Sequence, residues 1–309
     1  MWGVKQSSWA RNVLSHKIFT GISKKRLGAL VVELAPTWVH RCESGRRERR
    51  GKDRVREEGG GHPYFLVFTD RVLITLVHMR TGLSQAGLAQ MFGCSQASVS
   101  RAVGEILPLL ASRGFTTPCG GPKLHTLADV FAYATAKKVK LRIDGTEIQV
   151  RRPKAGRKGR KRFVSGKKRA NTIKVTVVCD GAGNLLWAGA VVPGRMHDQT
   201  AVKMAGIDSL LDFHPDVVVM ADNGYRGVYR DHPEQVIVPP TKPPKDAPVD
   251  VREEYERARH EQSSARIPVE HSIAKIKWWK QLQRWTGVRD SLEETIVAVA
   301  CLASEGASA

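Results

Sequence analysis

The chain has 309 residues, 41% of them hydrophobic, and carries 50 Lys and Arg against 30 Asp and Glu, a formal charge of +20. That excess on ordinary globular composition points to a polyanionic partner, of which nucleic acid is the commonest. No apolar run reaches membrane-spanning length and the start lacks a signal-type stretch. The five cysteines (Cys42, Cys94, Cys119, Cys179, Cys301) form no CxxC pair, so a membrane span, a zinc ribbon and a disulfide framework are excluded and a reducing cytoplasm is expected.

Residues 1 to about 40 hold scattered apolar positions, among them Val13, Leu14, Ile18, Ile22 and Leu27, which read as one or two short helices. Residues 41–61 are charged and Gly-ended, as in a linker or a solvated helix. From Thr69 to about Gly114 the pattern is helical, and within it residues 83–107 carry a specific spacing. Ala89 is small where two helices would cross, Gly93 follows four residues later in a turn, and Val99 is a core position six further on. Ser95 is a candidate N-cap for the second helix. Gln96, Ser98 and Arg101 then lie at the exposed start of a recognition helix, where Gln pairs with adenine edges and Arg with guanine or phosphate.

A Pro- and Gly-rich stretch, 118–122, marks a boundary, and beyond it the period changes. Val139, Leu141 and Ile143 alternate with Lys140, Arg142 and Asp144, as on a strand with one buried face. The segment 151–174 holds twelve basic residues and no acidic one, including Arg157, Lys158, Arg160, Lys161 and Arg162. It reads as a mobile loop that binds the DNA backbone. Residues 174–179 and 185–192 flank a Gly-rich turn and form a hairpin. A helix over 200–211 and a short apolar strand, 217–221, follow. A Pro-rich loop then leads to a charged helix over 251–262 and a last helical region from Pro268. The order of elements is α/β. There is no GxGxxG-like match, hence no expected nucleotide cofactor.

Three carboxylates stand out by context. Asp144 lies on the polar side of a strand in LRIDGTEI, and Asp222 ends the apolar strand and opens the turn DNGY. Glu270 follows Pro268, placed in a helix's first turn, with Arg266 at the helix entrance and Lys277 seven positions on. Converging carboxylates suit hard cations that serve phosphodiester cleavage. Taken singly, each also suits a turn or a surface ion pair. Asp198, in GRMHD, is read as an N-cap. Trp278, Trp279 and Trp285 are candidates for stacking a flipped base, with core packing the better role for Trp279.

The set resembles bacterial insertion-sequence DDE transposases of the group that shares a catalytic domain type with Harbinger transposases. The resemblance rests on IDGTEI around Asp144, GRMHD at 194–198, ADNGY around Asp222, and an R-three-E-six-K pattern met by Arg266, Glu270 and Lys277. Where many relatives place Tyr three residues before the Arg, this chain has Ser263. The resemblance implies a ribonuclease-H-like mixed sheet with flanking helices, preceded by a small all-α helix-turn-helix domain. Residues 1–61 are then N-terminal helices and linker, 62–118 the DNA-binding domain and 119–309 the catalytic domain. It implies that Asp144, Asp222 and Glu270 hold two Mg²⁺ or Mn²⁺ ions, with Arg266 and Lys277 near DNA, and it keeps open for Asp198 a supporting role beside those ligands as the alternative to an N-cap. The expected activity is cleavage at the terminal inverted repeats of the chain's own element, then strand transfer into target DNA. A homo-oligomer is implied, acting in the cytoplasm on chromosomal DNA. The rivals are a nuclease without strand transfer and a transposase-derived DNA-binding protein.

Overall fold

The apolar run Val72 to Val77 is too hydrophobic for a surface helix and takes the centre of an all-helical bundle. In the computed structural model, which describes residues 2–53, 64–118, 120–154, 156 and 158–305, the chain divides into two units. One comprises residues 1–112 with 279–281, the other 113–278 with 282–309. The first contains α1 (Trp2–Leu14), α2 (Lys17–Thr20), α3 (Lys24–Arg50), α4 (Phe68–Thr81), α5 (Gln85–Phe92) and α6 (Gln96–Ala111). Helix α4 is buried almost all round and is packed by the other five. Asp70 on α4 is fully buried, yet both its oxygens receive the Arg11 guanidinium, at 2.6 and 2.8 Å. Its desolvation is therefore offset by a bidentate partner. Arg71 bonds Glu105 of α6 at 2.7 Å and lies over the Trp38 ring of α3. The N-terminal helices, which the sequence left without a purpose, thus belong to the same bundle as α5 and α6.

The second unit is built on a six-stranded mixed sheet. Its strands are β1 (Leu141–Val150), β2 (Thr172–Cys179), β3 (Leu185–Pro193), β4 (Val219–Met220), β5 (Val236–Ile237) and β6 (Arg284–Trp285). The order is β3-β2-β1-β4-β5, with β6 also beside β1. Strands β1 to β3 run antiparallel, whereas β4 and β6 are parallel to β1 and β5 to β4. This is the ribonuclease-H-like arrangement. β2 is buried along its whole length, as a central strand with both faces covered must be. The flanking helices are α7 (Leu127–Lys137), α8 (Asp198–Met204), α9 (Ile207–Phe213), α10 (Arg226–Asp231), α11 (Val249–Lys277) and α12 (Leu292–Glu305). Helix α11 packs on β1 and β2, and α12 on β3.

Three expectations change. The helix over 200–211 is two helices, broken at Gly206, whose left-handed backbone ends the first. Strand pairing near 217–221 is confined to Val219 and Met220. Pro268 does not open a helix but lies inside the 29-residue α11, which is tied down on both sides of it by the contacts described below. Helix α7, announced in sequence only by the Thr126–Asp129 capping box, had been missed. Among the described residues no helix is long and apolar enough to cross a membrane.

Candidate functional site

Register brings the first two carboxylates together. Strand β4 runs parallel to β1 with Arg142 beside Met220. Two residues further along each chain, just past the last paired position of β4, Asp144 and Asp222 come close enough for the charge of Asp222 to act on Asp144. Asp144 is largely buried, and its Oδ1 accepts from Gly145 N at 2.7 Å. Its Oδ2 accepts from the Arg266 guanidinium at 3.2 Å. Burial pushes the Asp144 carboxyl up to about 6; Arg266 opposes this, while Asp222 and Asp198 reinforce it. Asp222 Oδ1 accepts from Gly224 N at 2.8 Å, so it forms its local turn and faces Asp144 at once.

Asp198 is a correction. The N-cap of α8 is His197, and Asp198 is the first helical residue, with its carboxylate turned to the acidic pair. Lys174 Nζ on β2 reaches Asp198 Oδ1 at 2.7 Å and the Met196 carbonyl at 2.7 Å. Two neighbours without side chains leave the carboxylate its room. A Cβ at position 145 would stand 3.1 Å from Asp198 Oδ1, and one at 224 would stand 3.0 Å from both Asp198 Oδ2 and Asp222 Oδ1. Tyr225 is buried against the three aspartates, and desolvation, with their charges added, keeps its phenol protonated. The sequence signal for this neighbourhood was GRMHD, read as a helix start.

Glu270 does not join the cluster: it is exposed on α11, four residues beyond Arg266. Among the described residues no three His, Cys, Asp or Glu side chains converge closely enough to hold a metal. The donor chemistry nonetheless fits a hard divalent cation, because Asp144, Asp198 and Asp222 offer carboxylate oxygens close enough for the charges of the other two to act on Asp144.

Helix α11 is fixed by long-range hydrogen bonds. Gln262 Nε2 donates to the Ala221 carbonyl at 3.0 Å and Arg142 Nε to the Ala265 carbonyl at 2.5 Å. Ser272 Oγ donates to the Gly183 carbonyl at 2.9 Å. Lys277 Nζ donates to the carbonyls of Glu147 and Leu282 at 2.6 and 2.9 Å. Burial, with Lys168 nearby, lowers the Lys277 amine to about 8. Arg266 and Lys277, expected near DNA, are therefore engaged within this unit: one on Asp144, the other as the anchor of α11 to β1.

On the recognition helix the local reading is met. Ala89 and Val99 are buried, Gly93 is left-handed (φ 64°), and Ser95 Oγ caps Ser98 N at 3.2 Å. Gln96 and Arg101 are exposed. The Ser98 hydroxyl is shared with Ser95 Oγ at 3.0 Å and Arg101 at 3.4 Å. Of the basic segment, Arg157 lies outside the described residues. Lys158, Arg160, Lys161 and Arg162 belong to a folded arm rather than a loose loop. Its Ser165 Oγ and Thr172 Oγ1 both donate to the Glu147 carboxylate at 3.0 Å, and Arg195 N donates to the Arg162 carbonyl. Of the three tryptophans, Trp278 is exposed while Trp279 and Trp285 are buried.

Comparison with known proteins matches residues 143–303 to the family described as DDE superfamily endonuclease. Residues 64–116 match the helix-turn-helix of DDE superfamily endonuclease. A Streptomyces albus G protein named as transposase for insertion sequence element IS112 is 25% identical over 283 residues, 91% of each chain. A Microchaete diplosiphon protein named as transposase for insertion sequence element IS702 is 27% identical over 229 residues, 74% of this chain and 76% of its own. Among solved structures, the Mos1 transposase paired-end complex with left transposon end aligns over 85% of this chain and 88% of its own, at 13% identity and a TM-score of 0.20.

Proposed function

Because the chain belongs to the DDE superfamily of endonucleases and carries that superfamily's helix-turn-helix, we propose that it is the transposase of an insertion sequence. It binds the element's terminal inverted repeats, cuts at their ends and transfers the resulting 3′-OH to target DNA. The observation that carries this reading is that Asp144 and Asp222 come together just past the paired ends of β1 and β4, with the Asp144 carboxyl raised to about 6.

Asp144 and Asp222 would hold the divalent ions, two Mg²⁺ or Mn²⁺, which polarise the scissile phosphate and acidify an attacking water. Glu270 is the proposed third carboxylate. Standing four residues after Arg266, it projects from the side of α11 whose guanidinium reaches Asp144. Arg266 partly neutralises Asp144 and keeps it from protonating in the buried site. Lys174 holds Asp198 between the two strands, so that this carboxylate adds charge without drifting. Lys277 fixes the register of α11 and with it the height of Arg266 and Glu270 above the sheet. Gln96, Ser98 and Arg101 are proposed to read the element end, and the arm bearing Lys158, Arg160, Lys161 and Arg162 to hold the DNA backbone. Two element ends must be joined, so the working form is proposed to be an oligomer.

The test is incubation of purified protein with duplexes of the DNA flanking its gene, in Mg²⁺ or Mn²⁺, followed by product sizing and capture of joined ends. Cleavage with end joining supports the reading. Cleavage without joining leaves a nuclease, and binding alone a DNA-binding derivative.

A further inference from the structure

Past the end of β1 the chain turns into the basic arm, and the arm encloses a cleft of about 420 Å³. It is lined by Arg152, Arg160, Lys161, Val164, Arg169 and Asn171. Four cations, one amide and one apolar side chain line it, and among the described residues no carboxylate does. The side chains of the four cations make no hydrogen bond or ion pair among the described residues. Arg152, Lys161 and Arg169 are exposed, so the cleft opens to solvent and offers an approaching anion a positively charged lining.

The walls are built, not loose. Val164 pairs with Asn171, Ser165 N donates to the Ala170 carbonyl at 2.9 Å, and Arg169 N donates back to the Ser165 carbonyl at 3.0 Å. The Phe163 ring is covered by Arg289, 4.2 Å from its centroid. Arg169 is held in the left-handed region, φ 49°. Gly or Asn would sit there with less strain.

Resting on the transposase reading, we propose that this cleft binds one sugar–phosphate unit of a DNA strand at a fixed distance from the cut. Arg152, Arg160, Lys161 and Arg169 take the phosphate oxygens, and Val164 takes the sugar face. Asp144 and Val150 lie six residues apart on the same strand, about 20 Å at the usual rise, and Arg152 is two residues further. Phosphates of one strand repeat about every 3.4 Å along the axis of a B-form duplex. With the duplex axis running along β1, as this proposal requires, the cleft holds a phosphate roughly six to eight nucleotides from the one at Asp144, and not the scissile phosphate.

Two experiments on the full chain test this. The variant Arg152→Gln/Arg169→Asn removes two cleft cations, and Asn keeps the left-handed position comfortable; an unchanged melting curve confirms folding. On a random 30-base-pair duplex, which requires no recognition of an element end, its slope of log K against log salt should be shallower by about 0.9 per lost contact. An unchanged slope overturns the cleft whether or not element ends are cut. On a cleavable end, single neutral methylphosphonates are scanned outward from the mapped cut. Wild type should lose affinity several-fold at one or two positions in the predicted window, and the variant should show no further loss there. Lys158→Gln/Arg162→Gln, on the same arm but outside the cleft, should keep the positional loss. Additive losses in the cleft variant, or a flat scan in wild type, overturn the proposal. Competition by inorganic phosphate as strong as by a short oligonucleotide would overturn the nucleotide assignment.

Discussion

The start of α6 and the acidic centre on β1 show two ways of building a working surface. The recognition helix is made from neighbours in sequence: a cap at Ser95, a left-handed Gly93, and Gln96 and Arg101 facing solvent. Each polar group there stands largely alone. The acidic centre draws Asp144, Lys174, Asp198, Asp222 and Arg266 from five separate segments, and every one is held by at least one of the others or by a glycine gap. A surface of the first kind fails residue by residue and mildly; a site of the second kind fails as a unit.

The largest effects should fall on the centre. Asp144→Asn and Asp222→Asn keep size and remove charge. Several kcal/mol of transition-state stabilisation are at stake, so each should lower cleavage and strand transfer by about a thousandfold or more. Gel shift on an element end should be unchanged, because the recognition helix is untouched. Loss of binding in parallel with cleavage would break the separation between the two regions.

Next comes the choice of third carboxylate. Glu270→Gln should be as damaging as the two aspartate changes. Asp198→Asn leaves Lys174 without its counter-charge but removes no proposed ligand, so a loss of about 10–100-fold is expected, the size usual for a positioning group around a metal. Near-normal cleavage by Glu270→Gln alongside a dead Asp198→Asn would move the third ligand from α11 to α8.

A smaller effect separates charge from chemistry. In chelator, with no DNA, Asp144 has its carboxyl raised from an ordinary 3.8 to about 6. The folded state then binds the proton more tightly than the unfolded chain, so stability falls as pH rises from about 4 to about 6, and the loss is complete above that. Its upper limit is on the order of 3 kcal/mol, with the opposing effect of Arg266 already included. Asp144→Asn should lack this slope: similar to wild type at pH 4, more stable at pH 7.5 by urea unfolding. A variant less stable at pH 7.5 would mean that the Arg266 pair outweighs the burial.

What could be read from the sequence divides along the same line. The cap, turn and core residues of the recognition helix are fixed by spacing, and spacing is visible in one dimension. Asp144 and Asp222 were legible because strand alternation and a strand end are also local. Asp198 was read first as a cap because its local context, just ahead of a helix, suits one; Lys174, 24 residues earlier, and the missing side chains at 145 and 224 show where it points. Lys277 was placed near DNA by the family resemblance of the R-three-E-six-K pattern, and neither that pattern nor its spacing shows the Glu147 carbonyl that takes its amine. Pro268 suggested a helix start, whereas bonds from Arg142 and Gln262 on one side and from Ser272 and Lys277 on the other carry one helix through it.

The smallest expected effects lie on α6, where the comparison is tested from the other end. Arg101→Ala should weaken binding to an element end by about 1–3 kcal/mol if its guanidinium pairs with a base, while weak affinity for random DNA persists. Gln96→Ala should behave alike. Ser98→Ala should cost less than about 1 kcal/mol, because its hydroxyl is already shared with Ser95 Oγ at 3.0 Å and steadies Arg101 only through a long 3.4 Å contact. The Ser95 cap to Ser98 N uses backbone and survives the change. The measurement is fluorescence anisotropy on an element end and on a scrambled duplex at one salt concentration. If Ser98→Ala lost as much as Arg101→Ala on the end alone, the hydroxyl would be reading DNA and α6 would act as a coupled network like the acidic centre. Losses by Arg101→Ala that were equal on both duplexes would reduce that residue to a phosphate contact.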